Sequence, residues 1–298
     1  MFFDRYLKNV PVLALYLIIF IAAIDISLVA TLLPHIIASL GDMELYPLMS
    51  ASFMASFFIA TPLFGIGVDH MGSKKAAFLA MSFFLIGSIF CGLSFSMSAL
   101  IFARLIQGVG AGGLVNVCFI TIGKHYKTDS KRSLMQAQLS SIWAFASIVA
   151  PLIGATISEL ISWRFAFFIN VPIGLIALLF MSQFQETAPQ LDEKFDRKSI
   201  FLFVGASILT FLSLFLYKQR GIDLSNCLIF TSAILLGFIF IWRELSSRNP
   251  LIPFNLLRKC LDCLTNGLFI LERLFFIPEE VLKIVANPTR FSSYLLLL

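Results

Sequence analysis

Long apolar runs alternate with short polar breaks along most of this chain. The runs fall at about 11–37, 46–67, 76–97, 99–122, 136–158, 165–182, 199–217 and 224–242. Most come close to or exceed the roughly 20 residues a helix needs to cross about 30 Å of hydrocarbon. Lipid offers backbone groups no water to bond, so helices are the natural way to span it. Barrel strands would alternate apolar and polar residues over about ten positions, and no such alternation occurs. The pattern therefore predicts eight spanning helices. The first run is too long for a signal-peptide core and lacks an A-x-A site, so it reads as the first span.

The polar breaks set the direction of the helices. Arg5 and Lys8 precede span 1, Lys74 and Lys75 follow span 2, and Lys124, Lys127, Lys131 and Arg132 follow span 4. Lys194, Arg197 and Lys198 follow span 6, and Arg243 and Arg248 follow span 8. The opposite loops are poor in cations, apart from Arg164, Lys218 and Arg220. The positive-inside rule then puts the N-terminus in the cytoplasm, and a bacterial cytoplasmic (inner) membrane is the expected location. After Leu256 no long uncharged apolar run occurs. Residues 256–298 read as a non-spanning tail, in part an amphipathic helix on the membrane surface.

Composition agrees with this pattern. Of 298 residues, 59% are hydrophobic and only 13% charged, against the about 25% charged residues of soluble domains. The net charge of +5 sits in short loops, which points to cytoplasmic loops rather than to nucleic-acid binding. The five cysteines are scattered; Cys260 and Cys263 have metal-ligand spacing, with no second pair and no nearby His. No metal site and no cofactor are expected. The absence of a G-x-x-x-x-G-K-S/T loop argues against an ATP-driven pump subunit, and no catalytic cluster stands out, so no enzymatic activity is expected.

Two ions interrupt the apolar runs. Asp25 lies near the middle of span 1 and Arg104 lies within span 4. On insertion scales such a residue costs about 2.5–3.5 kcal/mol at a helix centre, so it should face the bundle interior or a wet cavity. Gln107 and Gly108, three and four residues on, share the Arg104 face. Gly112 and Asn116 continue the stripe, and Gly108 with Gly112 forms a small-xxx-small seam suited to close helix contact. The other reading has Arg104 snorkelling to a headgroup. An unpaired carboxylate in low dielectric favours its neutral form, and a nearby cation favours the charged one. Asp25 paired with Arg104 is therefore a candidate proton-coupling site. Alternatively, Asp25 makes a structural hydrogen bond to a neighbouring helix.

The residues also carry a family resemblance. Gly65, Asp69, Gly72, Lys74 and Lys75 fit the pattern G-x-x-x-D-x-x-G-x-K/R-K/R of the loop between spans 2 and 3 in the major facilitator superfamily. Arg104, Gln107, Gly108, Gly110 and Ala111 resemble its span 4 motif. The segment "ASIVAPLIGA", with Pro151 and Gly154, resembles the span 5 antiporter motif, although Ala146, Ala150 and Ala155 stand where that pattern has glycine. Trp163, Arg164, Asn170, Pro172 and Gly174 resemble the span 6 motif of the drug/proton antiporters with fourteen spans, and "IDISLVATLLP" their span 1 motif.

The resemblance implies an all-α polytopic membrane protein. Residues 1–182 would form the six-helix N-domain of a transporter and 183–198 a charged connector. Residues 199–255 would supply two further transmembrane helices, ahead of the tail. Asp69 would latch packed helices at the inner mouth by pairing with a loop cation or a helix end. Pro151 would bend span 5 and Gly154 would pack it. Trp163 and Arg164 would sit at the outer interface, with Trp163 as an anchor. Asn170, Pro172 and Gly174 would shape span 6.

The implied function is secondary active transport: proton-coupled export of small amphipathic or cationic molecules. Its partners would be membrane lipid, a small-molecule substrate and protons. The fourteen-span relatives are longer, so either two copies pair, a complementary half comes from another chain, or the chain is a truncated product without transport. The alternative is a remnant or an interaction protein that does not transport. A lone half would expose Asp25 and Arg104 to lipid.

Overall fold

The computed structural model describes residues 10–43, 45–126, 128–183, 197–220 and 223–246. These residues form nine helices and no strands. They run α1 (Val10–Leu40), α2 (Tyr46–Met71), α3 (Ser73–Gly92), α4 (Met97–His125) and α5 (Asp129–Leu160). Then come α6 (Trp163–Phe168), α7 (Asn170–Ser182), α8 (Arg197–Arg220) and α9 (Leu224–Ser246). Eight spans are long and apolar enough to cross a membrane, with α6 and α7 together making the sixth, Trp163–Ser182. The protein is an integral membrane protein of helices, as its hydropathy predicts. Most of the expected connector and all of the tail lie outside the described residues; Arg197 and Lys198 already belong to α8.

Local chemistry explains the helix ends. Gly72 closes α2 with φ +87°, a conformation that favours glycine, and leads directly into α3. Ser96 caps α4 by accepting a hydrogen bond from Ala99 N at 3.2 Å. The sixth span breaks at Ile169. Pro172 lies three residues beyond; it has no N–H to donate to the Phe168 carbonyl and its ring crowds that group, which favours a break there. The nitrogen of Pro172 falls in the first turn of α7, where no intrahelical partner is needed.

Packing centres on α4. Its glycines let two neighbours touch its backbone: a Cβ at Gly108 would collide with Ser56 and the Phe53 carbonyl, and one at Gly112 with the Phe57 carbonyl, all on α2. On the adjacent face, Gly110 meets Ala80 and Phe84 of α3, and Gly87 of α3 meets the backbone of Gln107. Helix α5 lies along α1 through the buried stripe Ala146, Ala150, Gly154 and Ser158. The hairpin of α8 and α9 meets the rest chiefly through α2, with the rings of Phe203 and Phe58 5.8 Å apart. The apolar core has two parts. One contains Ile18, Val68, Ala77 and Val117, and the other Leu32, Met49, Leu100 and Phe167. The polar residues of interest lie near their junction.

Candidate functional site

Four helices bring polar side chains to one point. Asp25 comes from the middle of α1, Ser88 from α3, Arg104 and Gln107 from α4, and Asn170 from the first turn of α7. Arg104 and Gln107 meet because side chains three apart lie on one helix face. The glycine contacts described above bring α3 close enough for Ser88 to join. The break at Ile169 starts a fresh helix at Asn170.

The geometry is closed. Arg104 Nη1 donates to Asp25 Oδ2 at 2.5 Å and to Gln107 Oε1 at 2.7 Å. Gln107 Nε2 donates to Asp25 Oδ1 at 2.7 Å and to Ser88 Oγ at 3.2 Å. Asn170 Nδ2 donates to the same Asp25 oxygen and to Ser88 Oγ, each at 3.0 Å. Ser88 Oγ in turn donates a hydrogen bond to the Phe167 carbonyl at 2.8 Å. The Arg104 guanidinium lies 4.0 Å from the centre of the Phe53 ring and 5.8 Å from that of Phe167, a cation–π arrangement.

Both ions are almost completely enclosed, Asp25 at 1% exposure and Arg104 at 2%. Stripping two charges of water costs several kcal/mol each, which is recovered only with good geometry and satisfied lone pairs. Here the carboxylate accepts from three donors. One atom is left over: Arg104 Nε has no partner among the described residues.

Both ions face the bundle interior, so the alternative in which Arg104 snorkels to a headgroup does not hold. One expectation is corrected: this half by itself does not leave Asp25 and Arg104 open to lipid, because α1, α3, α4 and α7 enclose them. Asn170, expected only to shape span 6, binds the carboxylate directly. Trp163 is buried at 3% exposure, with its ring edge-on to Phe167 at 6.1 Å, so it packs inside the bundle instead of anchoring in lipid. Arg164 stacks on Trp163 at 4.4 Å and donates to the Ser94 carbonyl at 3.0 Å.

The remaining residues lie apart from the cluster. Asn116 donates to the Thr61 carbonyl of α2 and lies against Gly65. Asp69 accepts from Lys124 Nζ at 2.7 Å, while Lys74 donates to the Ser182 carbonyl at the end of α7 and Lys75 is exposed. Pro151 faces outward from α5. Gly154 is in ordinary contact with Leu28 and Thr31, and Gly174 lies against Leu85 and Met81. Among the described residues, no group of three or more His, Cys, Asp or Glu could hold a metal ion.

Two members of these networks carried no recognisable sequence signal. Ser88 is one serine in an apolar run. Lys124 is one of four cations after span 4, and nothing in the spacing singled it out as the partner of Asp69.

The profile of the Major Facilitator Superfamily matches residues 15–265. The chain is 29% identical to multidrug resistance protein 3 of Bacillus subtilis, over 96% of this chain and 57% of that protein. It is 30% identical to the multidrug efflux pump SdrM of Staphylococcus aureus, over 82% of this chain and 54% of the pump. It thus spans about half the length of these curated relatives. Among solved structures, the human organic anion transporter MFSD10 superposes with a TM-score of 0.55 at 16% identity. That match covers 76% of this chain and 70% of the transporter; at this identity it speaks for the fold.

Proposed function

The chain belongs to the Major Facilitator Superfamily, and from that premise we propose that it forms the N-terminal bundle of a proton-coupled exporter of amphipathic or cationic small molecules. The observation that carries this reading is the buried pair of Asp25 and Arg104, tied to Gln107 and Asn170 across three helices. Asp25 is the one carboxylate in that cluster. A proton taken up there removes the counter-ion of Arg104 and one acceptor from its shell. The contact between α1 and α4 would then depend on a proton. The printed names of the bacterial relatives support multidrug substrates.

Alternating access in this class rocks two bundles about a site near the midplane. The bundle described here would face a second one, supplied by a second copy or by a complementary half. Asp69 and Lys124 would latch α2 to α4 at the cytoplasmic end, with the N-terminus on the same side of a bacterial inner membrane.

Reconstituted vesicles test the proposal. A lipophilic cationic dye should move in response to an imposed pH gradient, and Asp25→Asn should remove the response. Gradient-driven movement that survives in the Asp25→Asn protein rejects the coupling role. Vesicles that stay inert in every pairing of bundles reject transport.

A further inference from the structure

We propose that the corner between α5 and α6 is a binding site for a phospholipid with an anionic headgroup. The site lies at the end of the bundle opposite the Asp69–Lys124 pair. Two clefts meet there at Ile161. The first, of about 360 Å³, is polar in part and is bounded by His35 and Ser39 of α1, Ser158 of α5, and Trp163 and Arg164 of α6. The second, of about 400 Å³, is wholly apolar and is lined by Ile157, Phe165, Phe168 and Ile169.

The polar cleft holds hydrogen-bonding capacity that the protein does not use. Trp163 is 97% enclosed, and its Nε1 has no partner among the described residues; the same is true of His35 Nδ1. A buried indole N–H ordinarily finds an acceptor. Arg164 has five N–H donors on its guanidinium, and among the described residues the bond to the Ser94 carbonyl uses one of them. A permanent cation next to an unspent donor suits a phosphate oxygen. Trp163 also gives the cation an aromatic face, which orients it without neutralising it.

The apolar cleft says what the acceptor is attached to. Ile157 lies a turn before the end of α5, and Phe168 and Ile169 lie about a turn and a half beyond Trp163. The greasy groove, bounded by the exposed Ile161 and Phe165, therefore runs from the polar rim along the outer face of α5 and α6. A headgroup on the rim and an acyl chain in the groove reproduce the order of a membrane lipid. A small free anion would fill the first cleft and leave the second unused. Assignment to the outer leaflet rests on the orientation proposed above; binding itself does not.

Fluorescence reads the site directly, because Trp163 is one of three tryptophans. With Trp143→Phe and Trp242→Phe in place, the full chain in detergent is titrated with phosphatidylglycerol carrying brominated acyl chains. Phosphatidylcholine with the same chains is the control. We expect quenching of Trp163 at an apparent affinity at least fivefold tighter for phosphatidylglycerol. Arg164→Gln should abolish that preference. Ser39→Asp should abolish it too, and because Ser39 is exposed that variant leaves the packing intact. Equal quenching by the two lipids, or a preference that survives Ser39→Asp, overturns the proposal. So does full displacement by inorganic phosphate or glycerol phosphate, which would assign the site to a free anion. None of these readings requires transport, so failure here leaves the proposed function standing.

Discussion

Two acid–base pairs tie α4 to its neighbours, and they differ in almost everything but chemistry. Arg104 and Asp25 are 2% and 1% exposed and share their hydrogen bonds with Gln107 and Asn170. Lys124 and Asp69 are 28% and 36% exposed, and their bond stands at the rim. The positions 104 and 124 are 20 residues apart on one helix, or about 30 Å at 1.5 Å per residue. The first pair is held by enclosure: every lone pair must be satisfied by protein, so the pair specifies which helices meet. The second is held against competing water and salt, so it can open at little cost. An enclosed pair and a releasable one thus stand on the same helix.

The largest effect should come from breaking the enclosed pair. Arg104→Ala leaves a buried carboxylate without its cation and should destabilise the protein by about 3–5 kcal/mol, read as a lower unfolding midpoint in detergent. Adding Asp25→Asn should recover part of that loss. An Arg104→Ala protein with the wild-type midpoint would mean that water reaches Asp25, and the contrast between the pairs would vanish. Next comes the seam that serves both pairs. Gly112 lies between them on α4, and its α-hydrogens face the Phe57 carbonyl. Gly112→Val should push α2 away and cost about 1–3 kcal/mol, whereas Gly154→Ala has ordinary van der Waals room and should leave the midpoint near wild type. Equal effects of the two would show that close approach of α2 is dispensable. The smallest effect belongs to the rim. Asp69→Asn should change stability by less than about 1 kcal/mol, and the difference should shrink as salt is raised. A loss comparable to that of Arg104→Ala would place the rim pair in the enclosed class.

Much of this was legible in the chain. Apolar length marked the eight spans, and the cost of an ion in lipid marked Asp25 and Arg104 as inward-facing. Helical spacing put Gln107 beside Arg104. The glycine seam was visible from four-residue spacing, although the spacing did not say that Gly108 and Gly112 meet α2 while Gly110 meets α3. What stayed hidden depended on tertiary placement. Asn170 looked like a residue that shapes a helix, because only the break before Pro172 turns its amide toward a carboxylate 145 positions earlier. Ser88 carried no mark in an apolar run. Trp163 looked like an interfacial anchor, since its composition and place in a loop say nothing of the pocket between α1, α3 and α5 that encloses it. The wet interior expected around the ions was a reasonable inference from charge alone. Charge alone did not say that the Arg104 guanidinium and the side-chain amides of Gln107 and Asn170 bond Asp25.

The enclosure of Asp25 also fixes an order of events at the ribosome. Its arginine is encoded 79 residues later and its asparagine 145 residues later. At about 5–20 residues per second, the acid is made about 4–16 s before the base. The first span is therefore made while its arginine partner is still to come. The ion pair is thus a late product of assembly, formed when the fourth span arrives and sealed only after the sixth.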